Sequence, residues 1–287
     1  MAGKNEPSLE NDQVRIPVWM TSMRLELLRR HRIRDPGLGL NEPSGLTLNR
    51  DGSALYTVSD DTKAIFRLNL QGRVSVSDSF FIDIDNLEGI AIRGDDSELL
   101  VVQEASDSLV VVDLKSRTER SRRPLSAMTN YNTIAHHFPD PPENNGLEGI
   151  TVNTRNDHVF VLKEHQPGLL IELDSSLTKI LSKRVLQPSQ GFIHPELKAD
   201  MLDFSGLSYD STSDTLWIIS DKGRCLFQYD WTGDTVLQRL DLTISTGGKP
   251  KPIRKPEGVA FDPGRKRMYV VSDRDADLYV FMLHDNC

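Results

Sequence analysis

Cysteine is almost missing from this 287-residue chain: there are two, Cys225 and Cys287, the second at the last position. Such usage excludes a disulfide framework and a cysteine-based metal motif, and it fits a reducing compartment. Long apolar runs are missing as well. No stretch approaches the ~18 apolar residues that span a bilayer. The first 18 residues are polar and lack the apolar segment of a secretory signal. A soluble, cytoplasmic protein with no membrane partner is the expectation. Excess positive charge is also lacking. The net charge of −8 argues against a nucleic-acid partner, which calls for a basic face. An anionic small molecule stays open as a ligand, because local basic groups or a metal override the global sign. No Gly-x-Ser-x-Gly elbow, phosphate loop or dinucleotide fingerprint occurs.

What is present is a repeat. Five times a Ser-Gly or Glu-Gly pair opens an apolar stretch, and an acid follows 16 residues later. The pairs are Ser44-Gly45, Glu88-Gly89, Glu148-Gly149, Ser205-Gly206 and Glu257-Gly258. The acids are Asp60, Glu104, Glu164, Asp221 and Asp273. Successive pairs start 44, 60, 57 and 52 residues apart. A fixed interval inside each unit and a free one between units describe a supersecondary module joined by loops of variable length.

Each unit reads as strands. In the first, Gly45-Leu46-Thr47-Leu48 leads through the Asn49-Arg50-Asp51-Gly52 turn to Ala54-Leu55-Tyr56-Thr57-Val58 and then Ala64-Ile65-Phe66-Arg67-Leu68. Alternation, β-branched residues and turn residues at the gaps favour strands over helices. Four antiparallel strands per unit, repeated radially, predict an all-β, five-bladed β-propeller. The last unit has only three strands before Cys287. A strand-like stretch at 25–33 with no repeat of its own is expected to supply the fourth and close the ring. A sixth, degenerate blade hidden in the long inserts is the alternative. The expected organisation is a disordered segment at 1–20 and a single propeller domain at 21–287. Two connections, near 120–145 and 187–203, are long enough to suggest a functional role.

In a propeller the first strand of each blade lines the axis, so the residue before each repeated Gly is expected at the channel mouth. Those residues are Ser44, Glu88, Glu148, Ser205 and Glu257. Three carboxylates about one axis repel, by roughly 2.8 kcal/mol per pair at ~6 Å and an effective dielectric of ~20. A bound divalent cation removes that cost. An all-oxygen donor set suits a hard ion, and Ca²⁺ tolerates irregular coordination better than Mg²⁺. The five are therefore candidate calcium ligands. The competing reading is structural: Gly serves close approach between blades, and the Ser-Asp pairs cap turns through the Asp side chain.

The motifs Glu42-Pro43-Ser44-Gly45-Leu46-Thr47, Leu87-Glu88-Gly89-Ile90-Ala91, Leu147-Glu148-Gly149-Ile150-Thr151, Phe204-Ser205-Gly206-Leu207 and Pro256-Glu257-Gly258-Val259-Ala260 together resemble the SdiA-regulated propeller family over roughly 40–284. That resemblance implies a fold more than an activity. The Ser, Glu, Glu, Ser, Glu order is also similar to the central calcium site of apyrase-type, calcium-activated nucleotidases. The stretch Leu55-Tyr56-Thr57-Val58-Ser59-Asp60-Asp61-Thr62 resembles the end of their first blade. The likeness implies Asp60 or Asp61 as the group that activates water, while the nucleotidase residues that grip base and phosphates have no match here.

Other candidates fall on the same face. Lys163, Lys222 and Arg274 adjoin the outer acids and, with Arg254 and Lys255, can neutralise an anionic substrate; ordinary salt bridging is the alternative. His136, His137, His165 and His194 lie on loops, and an imidazole titrates near neutrality, so His165 joins the catalytic candidates. The substrate-binding set is then Glu104, Lys163, Glu164, Asp221, Lys222, Asp273, Arg274, His136 and His194. Tyr131, Phe192 and Trp231 are candidate pocket walls or interblade packing. The expected function is calcium-dependent hydrolysis of a phosphate ester, phosphoanhydride or related ester. The alternatives are a non-catalytic binding propeller with structural calcium and a metal-assisted lyase, isomerase or cyclase.

Overall fold

A computed structural model describes residues 23–59, 61–138, 146–246 and 248–285. The expected segment at 1–20 lies outside these residues, as do Asp60, Cys287 and part of the 120–145 connection.

Five four-stranded antiparallel sheets are present, the first four built in chain order from the axis outward. Strand β1 (Met23–Arg32) comes first in sequence and last in the ring. Blade 1 holds β2 (Pro43–Leu48), β3 (Ala54–Ser59), β4 (Ala64–Asn69) and the short β5 (Phe80–Phe81). Blade 2 holds β6 (Leu87–Arg93), β7 (Glu98–Gln103), β8 (Ser108–Asp113) and β9 (Thr118–Pro124). Blade 3 holds β10 (Leu147–Val152), β11 (Val159–Lys163), β12 (Leu169–Leu173) and β13 (Ile180–Val185). Blade 4 holds β14 (Gly206–Asp210), β15 (Thr215–Ser220), β16 (Cys225–Asp230) and β17 (Thr235–Asp241). A hairpin of β18 (Thr243–Thr246) and β19 (Lys249–Pro252) precedes blade 5, which holds β20 (Pro256–Asp262), β21 (Arg267–Ser272) and β22 (Asp277–Asp285).

The expected closure occurs: β1 pairs antiparallel with β22 along its length, from Met23 opposite Asp285 to Arg32 opposite Asp277. Arg30 Nε donates to Asp277 Oδ2 at 2.7 Å and its guanidinium lies over the Tyr279 ring, fastening the added strand to its neighbour.

The apolar core is split into five layers, one between each pair of neighbouring blades. Val58 and Ile65 of blade 1 pack with Leu87, Val101 and Val110 of blade 2. The last layer sets Tyr269, Val271 and Leu278 of blade 5 against Leu46, Leu55 and Phe66 of blade 1. Successive residues of one strand serve opposite layers. Met268 and Val270 face blade 4, while Tyr269 and Val271 face blade 1. Strands buried on both faces read as continuous apolar runs, which is why Leu99–Val102-type stretches recur along the sequence.

The candidate walls Phe192 and Trp231 belong to this packing. Phe192 is fully buried against Phe204, Phe227 and Tyr229 in the layer between blades 3 and 4, and Trp231 stacks near Phe160. Tyr131 packs near Phe138 against the layer between blades 2 and 3. Aromatic surface of this size is worth more in an interblade layer than at a wet rim. Among the described residues no helix is long and apolar enough to cross a membrane.

Candidate functional site

In four of the five blades the Ser-Gly or Glu-Gly pair coincides with a β-bulge. In blade 3, Leu147 pairs with Lys163 but Gly149 pairs with Leu162, which leaves Glu148 as the extra residue. The same slip falls between Pro256 and Gly258, Leu87 and Ile90, and Pro43 and Leu46. A bulge interrupts the alternation of a strand and re-aims one side chain. Here it accompanies the entry of Glu88, Glu148 and Glu257 into the lining at the axis. The acid after β11 closes the same hairpin, Glu164 N–H donating to Gly146 O at 3.2 Å, and Glu104 does so to Asn86 O at 3.1 Å and Asp273 to Lys255 O at 3.1 Å.

The glycines pack the ring. A Cβ on Gly45 would stand 2.4 Å from Glu88 O, on Gly89 2.4 Å from Glu148 O, on Gly206 2.3 Å from Glu257 O, and on Gly258 2.4 Å from Ser44 O. Each inner strand thus presses its glycine on the next blade's backbone, and the fifth contact returns to the first blade. At this level the axis holds a space of only about 10 Å³, lined by the glycines and by Leu46, Ile90, Ile150, Leu207 and Val259. That is no more than one water. The channel is closed.

Above this waist lies a cup of about 330 Å³ lined by Asp61, Asn86, Glu88, Glu104, Glu148, Glu164, Ser205, Asp221, Lys255 and Glu257. A larger cavity, about 710 Å³, opens at the other end of the inner strands and is lined by the turns near 49–52 and 262–265. The acids gather in the smaller cup.

Glu148 is strongly perturbed. Burial raises its carboxyl well above the ordinary range, and Glu88, Glu257, Glu164 and Glu104 push it further the same way. Asp221 is pushed up to about 6, first by burial and then by Asp203, with Lys255 and Lys222 opposing. Glu104 is buried and accepts from Gly146 N–H at 3.1 Å. Asp61 is held by Ser59 Oγ at 2.5 Å and Asn41 Nδ2 at 3.3 Å. Ser205 Oγ donates to Pro256 O at 3.3 Å. Glu257 faces Lys255 Nζ at 3.1 Å. Among the described residues, no three His, Cys, Asp or Glu side chains stand grouped as a ready-made metal cage.

Of the five axial candidates, Glu88, Glu148, Ser205 and Glu257 line the cup, whereas Ser44 is buried and not part of its lining. Of the outer acids, Glu104, Glu164 and Asp221 line it. Asp273 is buried and pairs with Lys255 instead. The side-chain caps fall one residue earlier than the sequence suggested: Ser220 Oγ accepts from Gly223 N–H at 3.0 Å and Ser272 Oγ from Asp275 N–H at 3.1 Å. A serine in the last strand position reaches the turn amides, which leaves the following acid to point inward.

The other candidates stand apart from the cup. His165 Nδ1 lies 3.0 Å from Glu164 Oε2 without hydrogen-bond alignment. His136 and His137 stack on one another, 3.8 Å between ring centres. His194 accepts from Glu196 N–H at 3.1 Å, and burial followed by Arg239 lowers its pKa. Lys163 is buried, donating to His165 O at 2.8 Å beneath the Phe138 ring. Lys222 sits 3.5 Å from the buried carboxylate of Asp203, Arg254 pairs with Asp275, and Arg274 is exposed. Asn86 lines the cup and was not among the expected residues. Its φ of +53° directly before the Leu87-Glu88 bulge turns it inward.

The SdiA-regulated family model matches residues 28–282. Among solved structures, the glutaminyl cyclase of Myxococcus xanthus superposes with a TM-score of 0.62 at 11% identity, over 92% of this chain and 98% of that one. The β-propeller domain of Myceliophteria thermophila Cps50 (Swd1) does so with a TM-score of 0.50 at 12% identity, over 90% and 99%. At such identities the likeness speaks for the fold alone.

Proposed function

The chain belongs to the SdiA-regulated family, and we propose that its acidic cup takes a divalent cation, Ca²⁺ first, and works as a metal-dependent hydrolase on a small ester or anhydride. One observation carries this reading: Glu148 lies half-buried at the axis, its carboxyl poorly solvated and with four further carboxyl groups acting on it. Such a group has to hold a proton or meet a cation. The donor set fits a hard ion, since every lining side chain except Lys255 offers oxygen and no His or Cys is among them. Because the acids are not gathered as a ready cage, coordination in part through water suits them, and Ca²⁺ tolerates it.

Glu88, Glu148, Ser205 and Glu257 are the residues that would hold the ion at the floor, with Glu104, Glu164 and Asp221 around them. The ion's contribution is to polarise a substrate oxygen. The protein's part is the closed waist, which stops the substrate at the cup, and a proton acceptor poised near neutrality. Asp221, held up to about 6, fits that task better than His165, which is outside the lining. An anionic substrate enters this cup only after a cation has offset the acids. The test is a panel of phosphate-ester and carboxylic-ester substrates assayed with Ca²⁺ and with chelator. Turnover lost in chelator and in Asp221→Asn supports hydrolysis, and turnover that persists in chelator refutes it.

A second reading is a cyclase, favoured by the raised carboxyl of Glu148, which can donate a proton to a leaving amine, and by the shared fold with a glutaminyl cyclase. Ammonia release from a peptide with N-terminal glutamine, absent in Glu148→Gln, distinguishes it.

A further inference from the structure

At one point the chain sends a positive charge into the cup. Lys255 is the only cation among the described residues that line it. Its ammonium stands 3.1 Å from Glu257 Oε1 and also pairs with Asp273, at the end of β21. The backbone that delivers it is held in a costly shape. Lys255 has φ +45° and precedes Pro256, whose ring favours extended backbone at the residue before it. Asp273 N–H donates to Lys255 O at 3.1 Å and pins the main chain there. A left-handed residue before proline persists only where its surroundings hold it. Two carboxylates and this amide are among those surroundings. At the equivalent position, two residues before the axial pair, the other blades carry Glu42, Asn86, Gly146 and Asp203, none of them a cation.

We infer that Lys255 is a tethered counter-ion. Its ammonium offsets part of the cup's charge at rest, and an entering divalent cation displaces it from Glu257 while Asp273 retains it at the rim. A tethered group competes at a high effective concentration, so Lys255 sets the cation concentration at which the cup fills. A lysine suits this exchange, being a flexible point charge whose side chain here is 43% exposed. The displacement half rests on the cation reading above; the counter-ion half does not.

The test compares the full chain as wild type, Lys255→Met, Lys255→Arg and the Lys255→Met/Glu257→Gln double variant, all stripped with chelator. Without calcium, Lys255→Met should melt roughly 3–6 °C below wild type. The double variant should regain at least half of that loss, and Lys255→Arg should match wild type. In a calorimetric Ca²⁺ titration, Lys255→Met should bind about tenfold more tightly than wild type. Unchanged melting of Lys255→Met overturns the counter-ion. Equal or weaker calcium binding by Lys255→Met, with wild type binding, overturns the displacement. If wild type binds no calcium, the cation reading fails and takes the displacement with it, and the melts alone decide the counter-ion.

Discussion

Gly258 gives the sharpest stability prediction. A Cβ there would stand 2.4 Å from Ser44 O, 2.7 Å from Val271 Cγ2 and 2.9 Å from Gly45 C. Ordinary contact begins near 3.4 Å, so about 1 Å has to be found where two of the three neighbours are backbone. Overpacking of this kind costs roughly 1–3 kcal/mol. Alanine returns about 0.4–1 kcal/mol by restricting the unfolded chain. The net loss for Gly258→Ala then centres on ~1.3 kcal/mol, or roughly 3–5 °C in Tm for a chain of this size. Gly149 is the built-in control, because its closest neighbour would be Gly206 Cα at 3.1 Å. A shift of a few tenths of an ångström relieves that contact, so Gly149→Ala should fall short of ~1 kcal/mol. Calorimetric melts of both variants in chelator keep any cation out of the comparison. A Gly258→Ala protein as stable as Gly149→Ala would refute the backbone-to-backbone ring.

Three further outcomes follow from named contacts. Asp221 is raised from 3.8 to about 6 in the folded chain, so its protonated form favours folding: that stability is present below pH ~4 and lost as the pH rises through about 6. In chelator, Tm should climb as the pH falls from 7.5 to 5, and Asp221→Asn should flatten the climb; a Tm that falls over that range contradicts it. Glu148→Gln should raise Tm in chelator, because it removes a carboxyl whose charged form its surroundings disfavour, and should weaken the stabilisation that calcium gives. A drop in Tm would mean the carboxyl is held by contacts rather than crowded. At the ring closure, Asp277→Asn leaves Arg30 without its 2.7 Å charged partner and should cost about 1.5–3 kcal/mol in a urea melt. No change there would show that β1 adds little to closure.

The architecture was legible because each blade repeats one demand. A residue at a bulge beside the axis, followed by a glycine against the next blade, leaves the same two-letter mark wherever it occurs. The closing strand was legible by subtraction, since β22 lacked an outer neighbour. Side-chain direction was not. Nothing in the letters leaves Ser44 out of the cup's lining while Glu88 is part of it. Lys163 looked like a surface cation, yet it is buried because strand β11 turns it inward under Phe138. The Lys-Pro-Lys-Pro run carries no strand signal of its own, since proline cannot donate to a ladder. It forms β19 in a two-stranded hairpin, where the missing donors can face outward. Lys255 needed its φ to be known before its reach into the cup could be seen.

The central claim is that the carboxylates around Glu148 form a cation site. Metal analysis of the purified chain, never exposed to chelator, by plasma mass spectrometry tests it most directly. About one calcium per chain is the expected result. No stoichiometric metal, in a protein whose Tm does not rise when calcium is added, would contradict it and leave the acids as a proton-bearing cup.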